Sequence, residues 1–198
     1  MARAGPGALV VTTGDDARSK ILRATLQLVG THGVPEVTNR RIAACAGVSL
    51  GSITYHFPTQ ADLLRAALVS FVDDETARLR ELAEQYRSQA LSLAEAADLT
   101  ERIAHDLAFT AERIAPFELY VQAGRDPDLR PAADRCWRAY DALTVAVLIA
   151  LGVQAPEAIA PTLVATVAGM QLRRLSTGAQ TDVAAAVLTL LRGAAGTG

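Results

Sequence analysis

Residues 38–57, Thr-Asn-Arg-Arg-Ile-Ala-Ala-Cys-Ala-Gly-Val-Ser-Leu-Gly-Ser-Ile-Thr-Tyr-His-Phe, carry two short apolar rhythms at helical spacing on either side of a glycine. Thr38 is a favourable N-cap, and Ile42, Ala43 and Ala46 form a stripe small enough for another helix to cross closely. Gly47 stops that helix, Val48 fills the corner, and Ser49 caps a second helix whose Ile53 and Phe57, four residues apart, face inward. Ser49, Leu50, Gly51, Ser52, Thr54, Tyr55 and His56 then point elsewhere, and most of them are hydrogen-bonding groups. Two short helices around a glycine turn form a helix-turn-helix, a unit that lays its second helix in the major groove of DNA. The segment therefore points to a transcription regulator.

Working outward, Ile21, Leu22, Thr25, Leu28 and Val29 recur at helical spacing up to Gly33, which predicts a first helix starting near Asp15. Its early Arg18 and Lys20 are placed to reach a DNA backbone. The fourteen residues before it are rich in Ala, Gly and Thr, lack periodicity and read as a disordered tail. On the other side, Thr59-Gln-Ala-Asp62 resembles a capping box, and Leu63, Leu64, Ala67, Leu68, Phe71 and Val72 begin a long amphipathic helix over 61–87. At about 1.5 Å per residue it spans roughly 40 Å, enough to join a reading head (15–60) mechanically to a body (61–198). The body is expected to hold helices over 94–111, 113–123, 129–151, 156–176 and 182–192, with Pro116, Asp126-Pro127, Gly152, Pro156 and Gly178 as punctuation. The total is nine.

Composition supports an all-α chain: 51% of residues are hydrophobic but only 5% aromatic, with much Ala and Leu. A chain of 198 residues buries roughly 70% of its unfolded surface, so a substantial core follows without oligomerisation. The longest apolar stretch, 142–153, falls well short of the ~20 residues of a membrane span, so no membrane partner is expected. Near the start only residues 7–11 are apolar, less than the ~7 residues of a signal-peptide core, and two distant cysteines, Cys45 and Cys136, give no disulfide framework. A cytoplasmic location follows. The net charge of −2 is unevenly spread: residues 1–60 hold six basic and three acidic groups, whereas 61–198 hold thirteen basic and eighteen acidic. A modestly basic end sits on an acidic body, as expected when one end meets phosphate.

Catalysis finds no support. The three histidines, His32, His56 and His105, and the two cysteines form none of the spacings His-x-x-x-His, Cys-x-x-Cys or Glu-x-x-His, so neither a metal site nor a cofactor is expected. His105 and Asp106 are neighbours, but adjacent helical residues point about 100° apart and do not orient one another. Cys136 reads as a small buried hydrophobe.

The chain resembles the TetR/AcrR family of one-component bacterial repressors. The likeness rests on Ile21-x-x-Ala24, Gly33, Thr38, Arg40, Ile42-Ala43, Ala46-Gly-Val-Ser49, Gly51-Ser-Ile53, Tyr55-His-Phe-Pro58 and Asp62-Leu-Leu64, and covers about one third of the chain, residues 18–64. It implies an N-terminal three-helix domain, a long connecting helix, and a helical body that binds an effector and dimerises. Two positions depart from the pattern: Thr54 stands where the family usually has tyrosine, and Gln60 where it has a backbone-contacting lysine. The second removes a phosphate contact and implies weaker or more salt-tolerant binding.

Candidate site residues follow from both lines of reading. At the start of the second helix, Thr38 offers its hydroxyl and free N–H groups to a phosphate oxygen, and Arg40 is placed to fork onto guanine O6 and N7. Tyr55 and His56 match the family's backbone-contacting pair, Gly51 allows close approach, and Leu50 is suited to a thymine methyl. In the body, Phe71, His105, Phe109, Phe117, Tyr120, Trp137, Tyr140 and Met170 are the large or adaptable groups from which a pocket for a small, largely apolar effector would be built. For the homodimer, Ile159, Leu163, Val167 and Met170, with small Ala165, Ala168 and Gly169, and Val183, Val187, Leu190 and Leu191 form stripes suited to a four-helix bundle; the competing use of these stripes is the monomer's own core. A helical carrier or enzyme would have a similar body, and a regulator could equally activate or lack an effector, but a carrier has no reason to keep the recognition segment.

Overall fold

A computed structural model describes residues 13–87, 91–92, 94–95, 98–99, 111–178 and 182–195. Among them are eight α-helices, two 3-10 turns and no strand. The helices are α1 (Thr13–His32), α2 (Asn39–Ala46), α3 (Leu50–His56), α4 (Gln60–Arg87), α5 (Ala111–Arg125), α6 (Arg130–Ala150), α7 (Pro156–Thr177) and α8 (Val183–Ala195). The architecture is all-α, as the composition predicts. Of the nine helices expected, the one over 94–111 falls almost wholly outside the described residues, as do His105 and Phe109. The first twelve residues of the expected tail lie outside them too, and α1 starts at Thr13, two residues before Asp15.

Local chemistry sets the boundaries around the helix-turn-helix. The Thr38 hydroxyl accepts the Arg41 N–H at 3.3 Å and opens α2; Ser49 accepts the Ser52 N–H at 3.1 Å and opens α3. Between them Gly47 adopts the left-handed conformation (φ 65°) and donates to the Ala43 carbonyl, a C-cap that other residues reach only with strain. Pro116 does not end a helix. It lies inside α5, where its missing N–H forfeits one backbone bond. Pro161 sits in the same way one turn into α7, behind Pro156 at the helix start.

Packing is continuous from the N-terminal helices into the body. One core cluster joins Ile21, Leu22 and Val29 of α1, Ile42 of α2, Ile53 of α3, and Leu63, Leu68 and Val72 of α4 to Leu119 and Ala123 of α5 and Ala132, Ala133 and Cys136 of α6. Thr25 is fully buried in this layer, and its hydroxyl is satisfied by the Ile21 carbonyl at 2.8 Å. Helix α1 therefore packs against α5 as well as against its helix-turn-helix partners. Helix α4 is 28 residues long, about 42 Å, and runs along α6, where Leu79 and Ala83 meet Leu143 and Ala146.

A third cluster closes the far end and changes the reading of the last two helices. Leu163, Val183, Val187 and Leu191 are buried there with Leu148 and Ala160, and Ile159, Val167 and Met170 pack against them. Of the stripes expected to face a partner subunit, Leu163, Val183 and Val187 lie in the chain's own α6–α7–α8 core, and Ile159, Val167 and Met170 are half-buried against it. The physical reason is that α7 and α8 must first cover each other and the end of α6, and their most regular apolar faces do so. Of the expected set only Leu190 is exposed (38%). The large apolar groups that face solvent on these helices are Leu190, Leu172 (52%) and Leu175, with exposed Ala165 and Gly169 on the same side of α7.

Candidate functional site

The recognition segment is presented outward by a small set of anchors. Ile53 and Phe57 are buried (1% and 5%), which fixes the roll of α3 and leaves Leu50 53% and Tyr55 83% exposed. Ser49, Gly51 and Thr54 are exposed beside them, with Ser52 and His56 half-buried. Tyr55 meets His56 edge to face at 5.1 Å and otherwise projects into solvent, an unusual position for a large aromatic group with no interface to fill. Thr38 lies at the exposed start of α2.

The basic residues near this surface divide sharply. Arg41 pairs with Glu36 at 2.9 Å and also donates to the Glu36 carbonyl, so it braces the turn before α2. Arg40 is exposed and makes no ion pair among the described residues. On α1, Lys20 pairs with Asp16 at 2.5 Å, while the Arg18 guanidinium lies 5.5 Å from the centre of the Phe57 ring. That cation–π contact holds Arg18 beside the end of α3 while its donors stay in water. Gln60, which replaces the family's lysine, donates its side-chain amide to the Val37 carbonyl. The residue ties the start of α4 to the loop before α2, a role its place in the pattern did not suggest.

In the body, part of the expected aromatic set comes together and part does not. Tyr120 on α5 stacks on Trp137 of α6, ring centres 4.4 Å apart and planes 15° from parallel. Tyr140, one turn further along α6, donates its hydroxyl to Glu75 of α4 at 2.7 Å, and Phe71, one turn before Glu75, packs against the same core layer as Tyr120 and Tyr140. Phe117 is half-buried on α5. Met170 belongs elsewhere: it packs on the α7–α8 core and is no part of this group.

Glu75 escapes a reading based on large apolar groups, although its spacing from Phe71 and Leu79 places it on the inner face of α4. It is 9% exposed and also takes a two-pronged ion pair from Arg78 at 2.9 and 2.7 Å. Burial raises the Tyr120 phenol well above its ordinary range, and burial together with the Glu75 charge does the same for Tyr140. Both hydroxyls therefore remain protonated donors at any physiological pH. Burial also pushes the Cys136 thiol up, which keeps it a neutral, unreactive partner of the Tyr120 hydroxyl. No cluster of His, Cys, Asp and Glu suited to a metal ion occurs among the described residues, and none of their helices is long and apolar enough to cross a membrane.

Two family models match consecutive parts of the chain. Residues 21–67 match the bacterial regulatory proteins of the tetR family, and residues 87–197, more than half of the chain, match the tetracyclin repressor-like C-terminal domain. The chain belongs to the TetR family. It is accordingly a DNA-binding transcriptional regulator and not an enzyme. Solved structures agree over nearly the whole length. The transcriptional regulator SCO7518 of Streptomyces coelicolor A3(2) is 29% identical, with 90% of this chain and 98% of that one aligned at a TM-score of 0.65. The multidrug binding protein EbrR, crystallised with imidazole, is 31% identical over 88% of this chain and 93% of its own, at a TM-score of 0.66; its ethidium complex aligns at 0.67 with 29% identity, over 89% of this chain and 97% of EbrR. The uncharacterized HTH-type transcriptional regulator TtgW of Pseudomonas putida is 36% identical over 55 residues, 28% of this chain and 41% of TtgW. That alignment spans less than half of TtgW.

Proposed function

We propose that this TetR-family regulator is a cytoplasmic, homodimeric repressor that leaves a two-fold symmetric operator when a small, largely apolar effector binds its body. The observation that carries the DNA-reading half is the outward presentation of Leu50, Thr54 and Tyr55 by a helix whose other face is locked in the core. In this reading residues 15–60 form the head and 61–198 the body. Thr38, Tyr55, His56, Arg18 and Lys20 contact phosphate, and Arg40, Ser49, Leu50, Gly51, Ser52 and Thr54 read base edges. Lys20 must exchange Asp16 for phosphate, a small cost for an exposed pair.

Support for the effector half is the aromatic set of Phe71, Tyr120 and Tyr140 packed on one core layer, with Trp137 stacked on Tyr120 and the Tyr140 hydroxyl on the buried Glu75 carboxylate. Members of this family bind DNA and small molecules, and EbrR is described in complexes with imidazole, ethidium and proflavin. For the dimer, the exposed Leu172, Leu175 and Leu190, with Ala165 and Gly169 letting a partner helix approach closely, replace the buried stripes as the contacting set. Helix α4 joins the two functions. An effector that favours one spacing of the two heads shifts the population away from the spacing that matches B-DNA, about 34–36 Å between half-sites.

The test separates positioning from reading. Thr38→Ala and Tyr55→Phe are expected to weaken binding to all duplexes alike, whereas Arg40→Ala should change preference at one base position by about 1–3 kcal/mol, measured by mobility shift on operator variants. A uniform loss on every sequence from Arg40→Ala would make it a phosphate contact.

A further inference from the structure

Glycine weakens a helix relative to alanine, so its place within one needs a reason. Gly51 of α3 has none inside the described chain. Its φ is not in the left-handed region, and a Cβ added to it would meet only the Ser49 hydroxyl, at an ordinary 3.9 Å. The reason lies outside the chain, in something that comes nearer to this backbone than a side chain would allow. Leu50 and Thr54 flank the opening, one turn apart on the same exposed face of α3. Leu50 is 53% exposed and its side chain is wholly apolar. Thr54 is a hydrogen-bonding residue by type, but its hydroxyl donates to the Gly51 carbonyl at 3.1 Å, so its one proton is used within the helix. An acceptor on a base edge therefore finds no donor at Thr54. What the side chain has left to offer is its methyl group and an oxygen turned back toward its own helix.

We propose that Leu50 and Thr54 read thymine through its C5 methyl group in the major groove, with Gly51 letting the α3 backbone come close enough for both to touch. This rests on α3 being the DNA-reading helix, as argued above. Thymine is the one unmodified base that presents a methyl group in that groove; guanine presents acceptors, and cytosine and adenine present an amino donor. Side chains one helical turn apart stand about 5–6 Å from each other at Cβ, and successive bases about 3.4 Å along the axis, so each half-site offers one thymine to Leu50 and another to Thr54. The discrimination is by burial of methyl surface rather than by hydrogen bonds.

The probe is the tightest duplex that the full-length protein selects from a random pool, resynthesised with deoxyuridine at each thymine in turn and at its symmetry mate. Uracil lacks only the methyl group, so base pairing and phosphates are unchanged. At two thymines of each half-site the exchange should weaken binding about fourfold per methyl, about fifteenfold for a symmetric pair. Thr54→Ser, which deletes the methyl and keeps the hydroxyl, should make one of these thymines indifferent to the exchange. Thr54→Val, which keeps a methyl and deletes the hydroxyl, should preserve the preference, and Leu50→Ala should abolish it at the other thymine. Gly51→Ala should melt no lower than the parent protein yet bind the duplex at least about tenfold more weakly, a pair of results that misfolding does not give. The proposal is overturned if no thymine of the selected site responds to uracil, if Thr54→Val loses a preference that Thr54→Ser keeps, or if Gly51→Ala binds unchanged. Those results leave α3 standing as the reading helix; failure to select any common duplex overturns that reading as well.

Discussion

A variant carrying Leu172→Arg and Leu190→Arg is expected to sediment as a folded monomer and to lose operator affinity by at least about 100-fold, because one reading head no longer brings the other to its half-site. Both leucines are exposed in the single chain, 52% and 38%, so the charges cost little until a partner helix covers them. Leu163→Arg should behave differently. Leu163 is 4% exposed among Ala160, Val183 and Val187, and an arginine there buries an unpaired charge in the α7–α8 core, so that variant should unfold before it dissociates. Sedimentation and circular dichroism on the two variants check the assignment: a persisting dimer with both surface arginines would move the interface to another face.

The second large effect concerns the join between head and body. Leu119→Ala on α5 is expected to destabilise the protein by about 2–5 kcal/mol and lower its melting temperature by roughly 5–15 °C. The loss should appear in one transition that removes operator binding and body structure together. Leu119 is fully buried in the layer that α5 shares with α1, so deleting its side chain opens a cavity between the two parts. The visible polar link is the weaker one: Arg65 of α4 donates to Asp126, after α5, at 3.0 and 3.3 Å, but about a third of each side chain is exposed and solvent screens the pair. Arg65→Ala should therefore leave the melting temperature nearly unchanged. Two separate melting transitions for the Leu119→Ala protein, read by calorimetry, would show head and body to be thermodynamically independent.

What could be read from the amino acids alone follows the range of the forces involved. The helix-turn-helix was legible because local chemistry defines it: a hydroxyl cap at Thr38, a left-handed glycine at 47, a second cap at Ser49, and Ile53 and Phe57 four residues apart. The long α4 was legible for the same reason, its start fixed by the reciprocal bonds between Thr59 and Asp62. The apolar rhythms of α7 and α8 were equally clear, but periodicity says that a face is buried and not what buries it. Leu163, Val183 and Val187 went to the chain's own core, and the less regular Leu172, Leu175 and Leu190 stayed outside.

The body's candidate site shows a similar limit. Aromatic content pointed to Tyr120, Trp137 and Tyr140, yet Met170 looked the same on the page and sits in another cluster. Glu75 was hidden because a charge within an apolar stripe is ordinarily solvated; the Tyr140 hydroxyl and the Arg78 fork, contributed by folding, help to hold it there. Gln60 was legible as a departure from the family pattern but not as a tether to the Val37 carbonyl, a contact across 23 positions.

Selection of binding sites from a pool of random duplexes by the purified protein tests the central claim most directly. A two-fold symmetric site is expected, with half-site centres one helical turn apart or a multiple of it, and with one base position per half-site whose preference disappears in Arg40→Ala. Recovery of asymmetric or unrelated duplexes, bound only at low salt, would contradict it.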